Sequence, residues 1–185
     1  MRMDKVTNPL QQALSDAQSM ALGRDHANIE PQHVLAALLA QAGGIARPLL
    51  QKAGANLQLL EQSLETSLAG MPQISGSTGD MHLSNDAGRL LNVADKLAQQ
   101  GGDAYISSEV VLLAMLEGKS AATKILEAAG ASAAALKTAI EAVRGGETVN
   151  NPEAEESRQA LDKYTIDLTM RAEQGKLDPV IGRDD

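Results

Sequence analysis

The chain has 185 residues, of which 43% are apolar and 1% aromatic, and its formal charge is -8 at pH 7. A chain of this length can bury a sizeable core. With two Tyr and neither Phe nor Trp, that core must be aliphatic, which favours closely packed helices. The acidic charge and the scarcity of aromatic faces argue against a nucleic-acid partner. Cysteine is absent, which excludes disulfides and thiolate chemistry.

The N-terminal residues lack the apolar run of a signal peptide, and no segment of the sequence is long and apolar enough to span a membrane. We therefore expect a soluble helical protein of the cytoplasm.

Four short helices are predicted in the first part of the chain. Asn8 is the expected N-cap of the first, with Pro9 at its first helical position and Gly23 at its end. The others are predicted over 31–42, 45–53 and 56–69, each followed by glycine. The segment 70–82 is then expected to be a flexible connection.

Four more helices are predicted in the second part, over 85–100, 108–117, 120–129 and 133–144. Three serines, Ser84, Ser107 and Ser132, are the expected N-caps. Glycines again follow the helices.

The two parts are copies of one unit. At a shift of 77 residues Thr7 falls on Ser84, and at a shift of 76 the stretch LLQKAGA at 49–55 falls on ILEAAGA at 125–131. Apolar positions match at helical spacing over some sixty residues. The predicted fold is all-α: a pseudo-twofold duplication of a four-helix repeat, with repeat 1 at about 7–70 and repeat 2 at about 84–145.

The acidic stretch after the second copy, 146–157, is predicted to be a flexible linker. A helical period resumes over 158–174. The chain then ends with the extended KLDPVIGRDD, which we expect to be the start of a further, truncated domain (158–185).

The second copy carries more apolar surface than the first. Leu90, Val93 and Leu97 stand where the first copy has Ala13, Asp16 and Met20, and Val110 stands where it has His33. This surplus either packs one repeat on the other or stays open as a groove for apolar segments of other proteins, and both can hold at once.

Motifs for chemistry are weak. Gly118-Lys119-Ser120 lacks the earlier glycine and the preceding strand of a phosphate loop, so a turn between helices is expected there. The three His have no metal-like spacing, and no nucleophile–base pair is evident. We therefore predict no enzymatic activity and no metal for this piece of chain.

Three polar residues near helix starts have ordinary structural explanations. Asp103 and Glu109 flank the start of the helix at 108–117, where acids interact favourably with the macrodipole. Thr7 is a candidate cap of the first helix.

The duplicated unit, the opening VTNPLQQAL and the closing YTIDLTMRAEQGKLDPVIGRD resemble the Clp family of AAA+ protein unfoldases, most closely its disaggregating chaperone branch. The resemblance implies a mobile substrate-engaging domain on a hexameric ATPase that extracts polypeptides from aggregates with the DnaK chaperone system. It also implies that 158–185 begins the first ATPase module, with Val180 and Ile181 on the adenine side of a pocket for ATP and Mg.

The resemblance further implies two groups of substrate-binding residues. Thr7, Asp103 and Glu109 match positions implicated in aggregate handling. Leu91, Val93, Leu97 and Val110 match an apolar groove, which overlaps the surplus stripe that contains Leu90. The alternative is a domain that docks folded adaptors through the polar group, as in the protease-partner or type VI secretion branches.

Overall fold

The computed structural model describes residues 5–74 and 81–155, and within these ranges it contains eight α-helices and no strand beyond isolated bridges. The first repeat contains α1 (Asn8–Gly23), α2 (Pro31–Ala40), α3 (Ala46–Lys52) and α4 (Leu57–Ala69). The second contains α5 (Asn85–Gln100), α6 (Ser108–Glu117), α7 (Ala121–Ala128) and α8 (Ala133–Arg144). The predicted all-α fold is confirmed, and the predicted helix bounds agree with these to within two residues.

One expected cap is wrong, and a second caps its helix by position without the usual side-chain hydrogen bond. The N-cap of α1 is Thr7, whose side chain accepts from the amide of Leu10, and Asn8 is already helical. Thr7 takes the cap because it has the extended backbone (ψ 160°) that a cap requires. Ser107 is the N-cap of α6 by position, but its hydroxyl accepts from Arg144 instead of a helix amide.

The two repeats exchange their entry segments across the pseudo-twofold axis. Val6, at the entry to α1, forms a parallel bridge with Ile106 of the second repeat. Leu83, at the entry to α5, forms the matching bridge with Ile29 of the first. In both places the amide of the next residue donates to the opposite carbonyl at 3.0 Å. Each repeat therefore completes its partner, which ties the duplication seen in the sequence to one joint core.

The turns after α3 and α7 meet near this axis. The amide of Asn56 donates to the carbonyl of Ala129 at 2.8 Å. Gly54 and Gly130 have φ of +91° and +100°, and a Cβ on Gly130 would lie 3.2 Å from the carbonyl oxygen of Gly54. Glycine is needed at 130 both for its left-handed backbone and for this close approach.

The core is aliphatic throughout and continuous across the axis. Its largest fully buried side chains come from both repeats: Leu10, Leu35, Leu38, Leu49, Leu50, Leu60, Leu91, Ile106, Leu112, Met115, Leu126 and Leu136. Helix α3 packs on α8 and α4 packs on α7, as a twofold exchange requires. Small and branched aliphatic side chains allow helices to pack closely.

Each repeat ends in an extended segment that returns to its own first interhelical loop. In repeat 1, Gln73 forms an antiparallel bridge with His26. In repeat 2, the carbonyl of Val149 accepts from Ala104 at 2.8 Å, and its amide donates to Asp103 Oδ1 at 3.0 Å. Val149 lies 76 residues after Gln73, and Asp103 lies 77 after His26. The duplication thus extends past residue 145, where the sequence comparison ended.

The described part of the predicted flexible linker, 146–155, is docked on the domain. Val149 is fully buried and Glu155 is 1% exposed. The amide of Asn8 donates to the carbonyl of Pro152 at 2.9 Å. Composition indicates a linker because most of these residues are polar or small, yet one apolar and one acidic side chain are enough to hold the segment. The remaining predicted parts, including Val180 and Ile181, lie outside the described residues.

Candidate functional site

An apolar groove lies beside α5 on the second repeat. It encloses about 250 Å³ and has an apolar floor of Leu90, Val93, Ala114 and Met115. The other lining residues are Asp86, Arg89, Gly118, Lys119 and Ser120. Small-molecule sites usually enclose about 300–1,000 Å³. A shallow groove of this size suits one or two side chains of a polypeptide better than a small molecule.

The predicted apolar residues divide between this groove and the core. Val93 is 36% exposed and lies in the groove together with Leu90. Leu91 and Val110 are buried in the core, and Leu97 is partly buried against it. The surplus stripe is therefore divided: most of it packs in the core, and Val93 stays accessible.

Sequence reasoning missed the part of the groove that α6 and the turn after it contribute. Ala114 and Met115 come from α6, and Gly118, Lys119 and Ser120 form the turn from α6 to α7. The turn was predicted correctly, but its position next to α5 depends on the packing of α6 on α5 and α7. No local pattern in the sequence reports that packing.

The predicted polar residues lie together at the seam between the repeats. We define the seam cluster as Thr7, Asp103, Glu109, Arg144 and Glu155. Arg144, at the end of α8, donates from Nε to Glu109 at 2.7 Å and makes a bidentate pair with Asp103 at 3.0 and 3.1 Å. The side chains of Asp103 and Glu109 are both 1% exposed, and that of Arg144 is 13% exposed.

Neighbouring carboxylates keep the guanidinium of Arg144 charged although it is largely buried. Burial by itself lowers the pKa of Arg144, but the carboxylates of Glu109 and Asp103 outweigh it and hold that pKa above its ordinary value. A bidentate guanidinium–carboxylate pair fixes geometry as well as charge. Arg144 therefore joins the end of α8 to the start of α6.

Glu155 forms the second half of the seam cluster. Its carboxylate accepts from the hydroxyl of Thr7 and, at 2.8 Å, from the amide of Ser108 at the start of α6. Burial raises the pKa of Glu155, and the nearby carboxylate of Glu109 raises it further, against the hydrogen bonds from Thr7 and Ser108. This one side chain therefore bridges α1 of the first repeat and α6 of the second.

Neither Arg144 nor Glu155 was predicted from the sequence. Arg144 had a signal, because at the shift of 76 it stands where the first repeat has the buried Leu68. A cation on an expected core face points to buried acids as its partners. No sequence signal pointed to Glu155, since it is one of several acids in a polar stretch.

The first repeat has a histidine pair at the equivalent place. His26 Nδ1 and His33 Nε2 are 2.8 Å apart, and His33 Nδ1 accepts from the amide of Glu30 at 2.9 Å. Because a backbone amide can only donate, His33 Nδ1 carries no proton, and neutral His33 donates from Nε2 to His26. Burial, then His26, then Arg24 lower the pKa of His33 to about 4.

Residues 5–74 and 81–155 lack two other kinds of feature. No group of three or more His, Cys, Asp or Glu there could hold a metal ion. No helix in the same ranges is long and apolar enough to cross a membrane.

Comparison with known proteins identifies the family of this duplicated helical domain. The family model described as the Clp repeat (R) N-terminal domain matches residues 5–129. The chain therefore belongs to the Clp N-terminal domain family.

Curated relatives include chaperone proteins named ClpB. The chain is 57% identical over 185 residues to that of Pseudomonas putida and 53% identical over 185 residues to that of Vibrio cholerae. Both alignments cover 100% of this chain and 22% of the relative. The chain thus spans about a fifth of the length of these relatives.

Solved structures share the fold. The Hsp104 N-terminal domain of Candida albicans has a TM-score of 0.73 at 24% identity, over 82% of this chain and 99% of that one. The N-terminal domain of the ClpV1 ATPase of E. coli has a TM-score of 0.62 at 25% identity, over 74% of this chain and 83% of that one. The duplicated helical architecture is therefore common to several Clp branches.

Proposed function

We propose that this domain weakly binds unfolded or aggregated polypeptide through the groove beside α5 and delivers it to an ATP-dependent disaggregase motor. The observation that carries the proposal is the accessible apolar floor around Val93, in a place where the equivalent residue of the first repeat is Asp16. The family and the relatives named as chaperones support it. The hexameric motor with its ATP and Mg, the DnaK partnership and the cytoplasmic location belong to the same proposal.

Energetics favour weak and sequence-tolerant binding. Full burial of one aliphatic side chain contributes roughly 1.5–3 kcal/mol. Ordering an unfolded segment takes back about 2–5 kcal/mol. Two or three anchors therefore leave at most about 4–7 kcal/mol, which corresponds to an affinity of about millimolar to ten micromolar at best. Fast release suits a domain that hands its substrate to a motor.

The competing function, docking of a folded adaptor through Thr7, Asp103 and Glu109, has less support. All three side chains are buried and engaged within the seam cluster. A partner would first have to displace the contacts that cover them.

An NMR titration with an unfolded, apolar-rich polypeptide tests the proposal. Shift changes are expected at Leu90, Val93, Met115 and Lys119, and a folded protein of similar size and charge is the control. Shifts spread over the whole surface, or none up to millimolar polypeptide, would contradict it. Binding that needs a folded partner and weakens steeply with salt would favour adaptor docking instead.

A further inference from the structure

The described chain leaves the domain along a segment that is held at two separate places. We define the exit segment as residues 147–155, its anchor as Val149, and its clasp as the contacts of Glu155 with Thr7 and Ser108. At the anchor, the Val149 carbonyl accepts from the amides of Ala104 and Tyr105 at 2.8 and 3.2 Å. At the clasp end, the carbonyl of Pro152 accepts from Asn8.

The anchor and the clasp differ in kind. The anchor repeats the pairing of Gln73 with His26 in the first repeat, and it buries an apolar side chain completely. It is therefore part of the repeat itself. The clasp buries a carboxylate whose hydrogen-bond donors among the described residues, Thr7 and Ser108, are all neutral. Removing a carboxylate from water is costly unless strong partners replace the water.

The guanidinium of Arg144 does not directly offset the cost of burying the Glu155 carboxylate. Arg144 is engaged by Asp103, Glu109 and Ser107. Glu109 adds repulsion at Glu155. The clasp is thus the weaker of the two attachments, and it can open while the anchor stays closed.

We propose that the exit segment is a releasable tether and that Thr7, Asp103 and Glu109 set its state. Closed, the chain leaves at Glu155 beside the start of α1. Open, it leaves at the Val149 anchor, which frees six residues, 150–155, and lengthens the tether by about 20 Å at full extension. Thr7 holds the clasp, Asp103 holds the anchor, and Glu109 weakens the clasp by repulsion.

This inference deepens the proposed function, because it gives three buried residues, which the family resemblance links to aggregate handling, a role that needs no contact with substrate. They are positioning residues for the tether between the domain and whatever follows it. The length of that tether sets how many orientations the domain can sample and its effective concentration near a motor.

Amide hydrogen exchange measured by NMR on the 185-residue chain tests the tether directly. Asn8 is the first residue of α1, where amides lack helical partners, so its protection depends on Pro152. Ala104 and Tyr105 report the anchor. Glu155→Ala is expected to reduce the protection of Asn8 roughly ten- to a hundredfold and to leave Ala104 and Tyr105 protected.

Two matched variants complete the design. Glu153→Ala makes the same change two residues away at an exposed position and is expected to leave Asn8 as in the unmodified chain. Glu155→Gln keeps an acceptor for Thr7 and Ser108 without the charge, so it is expected to restore the protection of Asn8. Glu109→Gln removes the repulsion and is expected to increase it.

Three results would overturn the tether: no change at Asn8 in Glu155→Ala, an equal loss at Asn8, Ala104 and Tyr105, or the same loss in Glu153→Ala. The outcome is independent of polypeptide binding. Val93→Asp is expected to abolish shifts in the groove and to leave Asn8 exchange unchanged. Failure of the groove and failure of the tether are therefore seen in different signals.

Discussion

At the scale of single residues, the most informative position is 144. The first repeat has a buried Leu there and the second has Arg144, paired with two carboxylates that are almost fully buried. Replacing a buried ion pair by apolar residues can be harmless, but removing one partner leaves an uncompensated charge. The arginine is therefore structurally essential only because Asp103 and Glu109 are present.

Arg144→Leu, which copies the first repeat, is expected to lower the free energy of unfolding by about 3–5 kcal/mol. Urea denaturation measures the change. Arg89→Leu is the control, because Arg89 pairs with Asp86 at 2.6 Å on the surface and such pairs contribute about 0–1 kcal/mol. Equal effects of the two substitutions would contradict the assignment of the seam cluster.

His33 predicts a dependence of stability on pH. Its pKa is lowered in the folded chain to about 4, so the unfolded chain binds a proton more readily. The contribution of His33 to stability is complete above its unfolded pKa of about 6.5 and is lost as the pH falls from there towards 4. Between pH 7 and pH 4.5 the loss is on the order of 2–3 kcal/mol.

Urea denaturation at these two pH values checks the prediction. His33→Val, which copies Val110 of the second repeat, is expected to lose less stability over the same interval than the unmodified chain. If both chains lose the same amount, His33 does not titrate as its surroundings require.

At the scale of elements, the helices follow from local rules and their termini do not follow completely. The sequence predicts all eight described helices because apolar spacing, glycine stops and cap residues agree. It places the first cap at Asn8, since Pro9 then takes the favoured first helical position. In the fold, Thr7 has the extended backbone instead, because the Thr7 amide is held by the Ile106 carbonyl of the other repeat.

The exit segment shows the same limit. Its composition is that of a linker, and among its described residues Val149, Pro152 and Glu155 make contacts that hold it to the rest of the domain. Whether Val149 and Glu155 are buried depends on a loop and two helix starts that are distant in sequence. The groove shows the same limit: Leu90 and Val93 could be predicted by comparing the repeats, whereas the residues that α6 and the following turn contribute could not.

The clasp is expected to respond to pH in the opposite sense to His33. Burial and the neighbouring Glu109 raise the pKa of Glu155 when the segment is docked. A carboxyl group with a raised pKa docks best when protonated, so docking weakens as the pH rises from the ordinary pKa of Glu through the raised one. The groups around it are Thr7 of α1, Ser108 and Glu109 of α6, and Asp103 and Arg144 behind them.

The protection factor of the Asn8 amide, corrected for intrinsic exchange, is therefore expected to increase when the pH is lowered from 7 to 5. Glu155→Gln is expected to remove most of this dependence. The same pH profile in the Gln variant would assign the effect to another group.

At the scale of the whole molecule, duplication gives two nearly equivalent halves that have diverged in chemistry. The first has His26, paired with His33, where the second has Asp103, paired with Arg144, and an acid at position 16 where the second has an accessible valine. The shared positions build the joint core, and the divergent ones form the groove and the seam cluster. Family membership fixes the architecture, and these differences carry the proposed function.

The most direct test of the groove is the affinity of a fluorescent unfolded polypeptide for three forms of the chain, measured by anisotropy. Val93→Asp, which restores the residue of the first repeat, is expected to weaken binding about tenfold, because it removes an apolar contact and would bury a charge. Asn92→Asp adds the same charge at the exposed adjacent position on α5 and is expected to stay within about twofold of the unmodified chain. Equal affinities of Val93→Asp and the unmodified chain, or equal losses in both variants, would contradict binding at this groove.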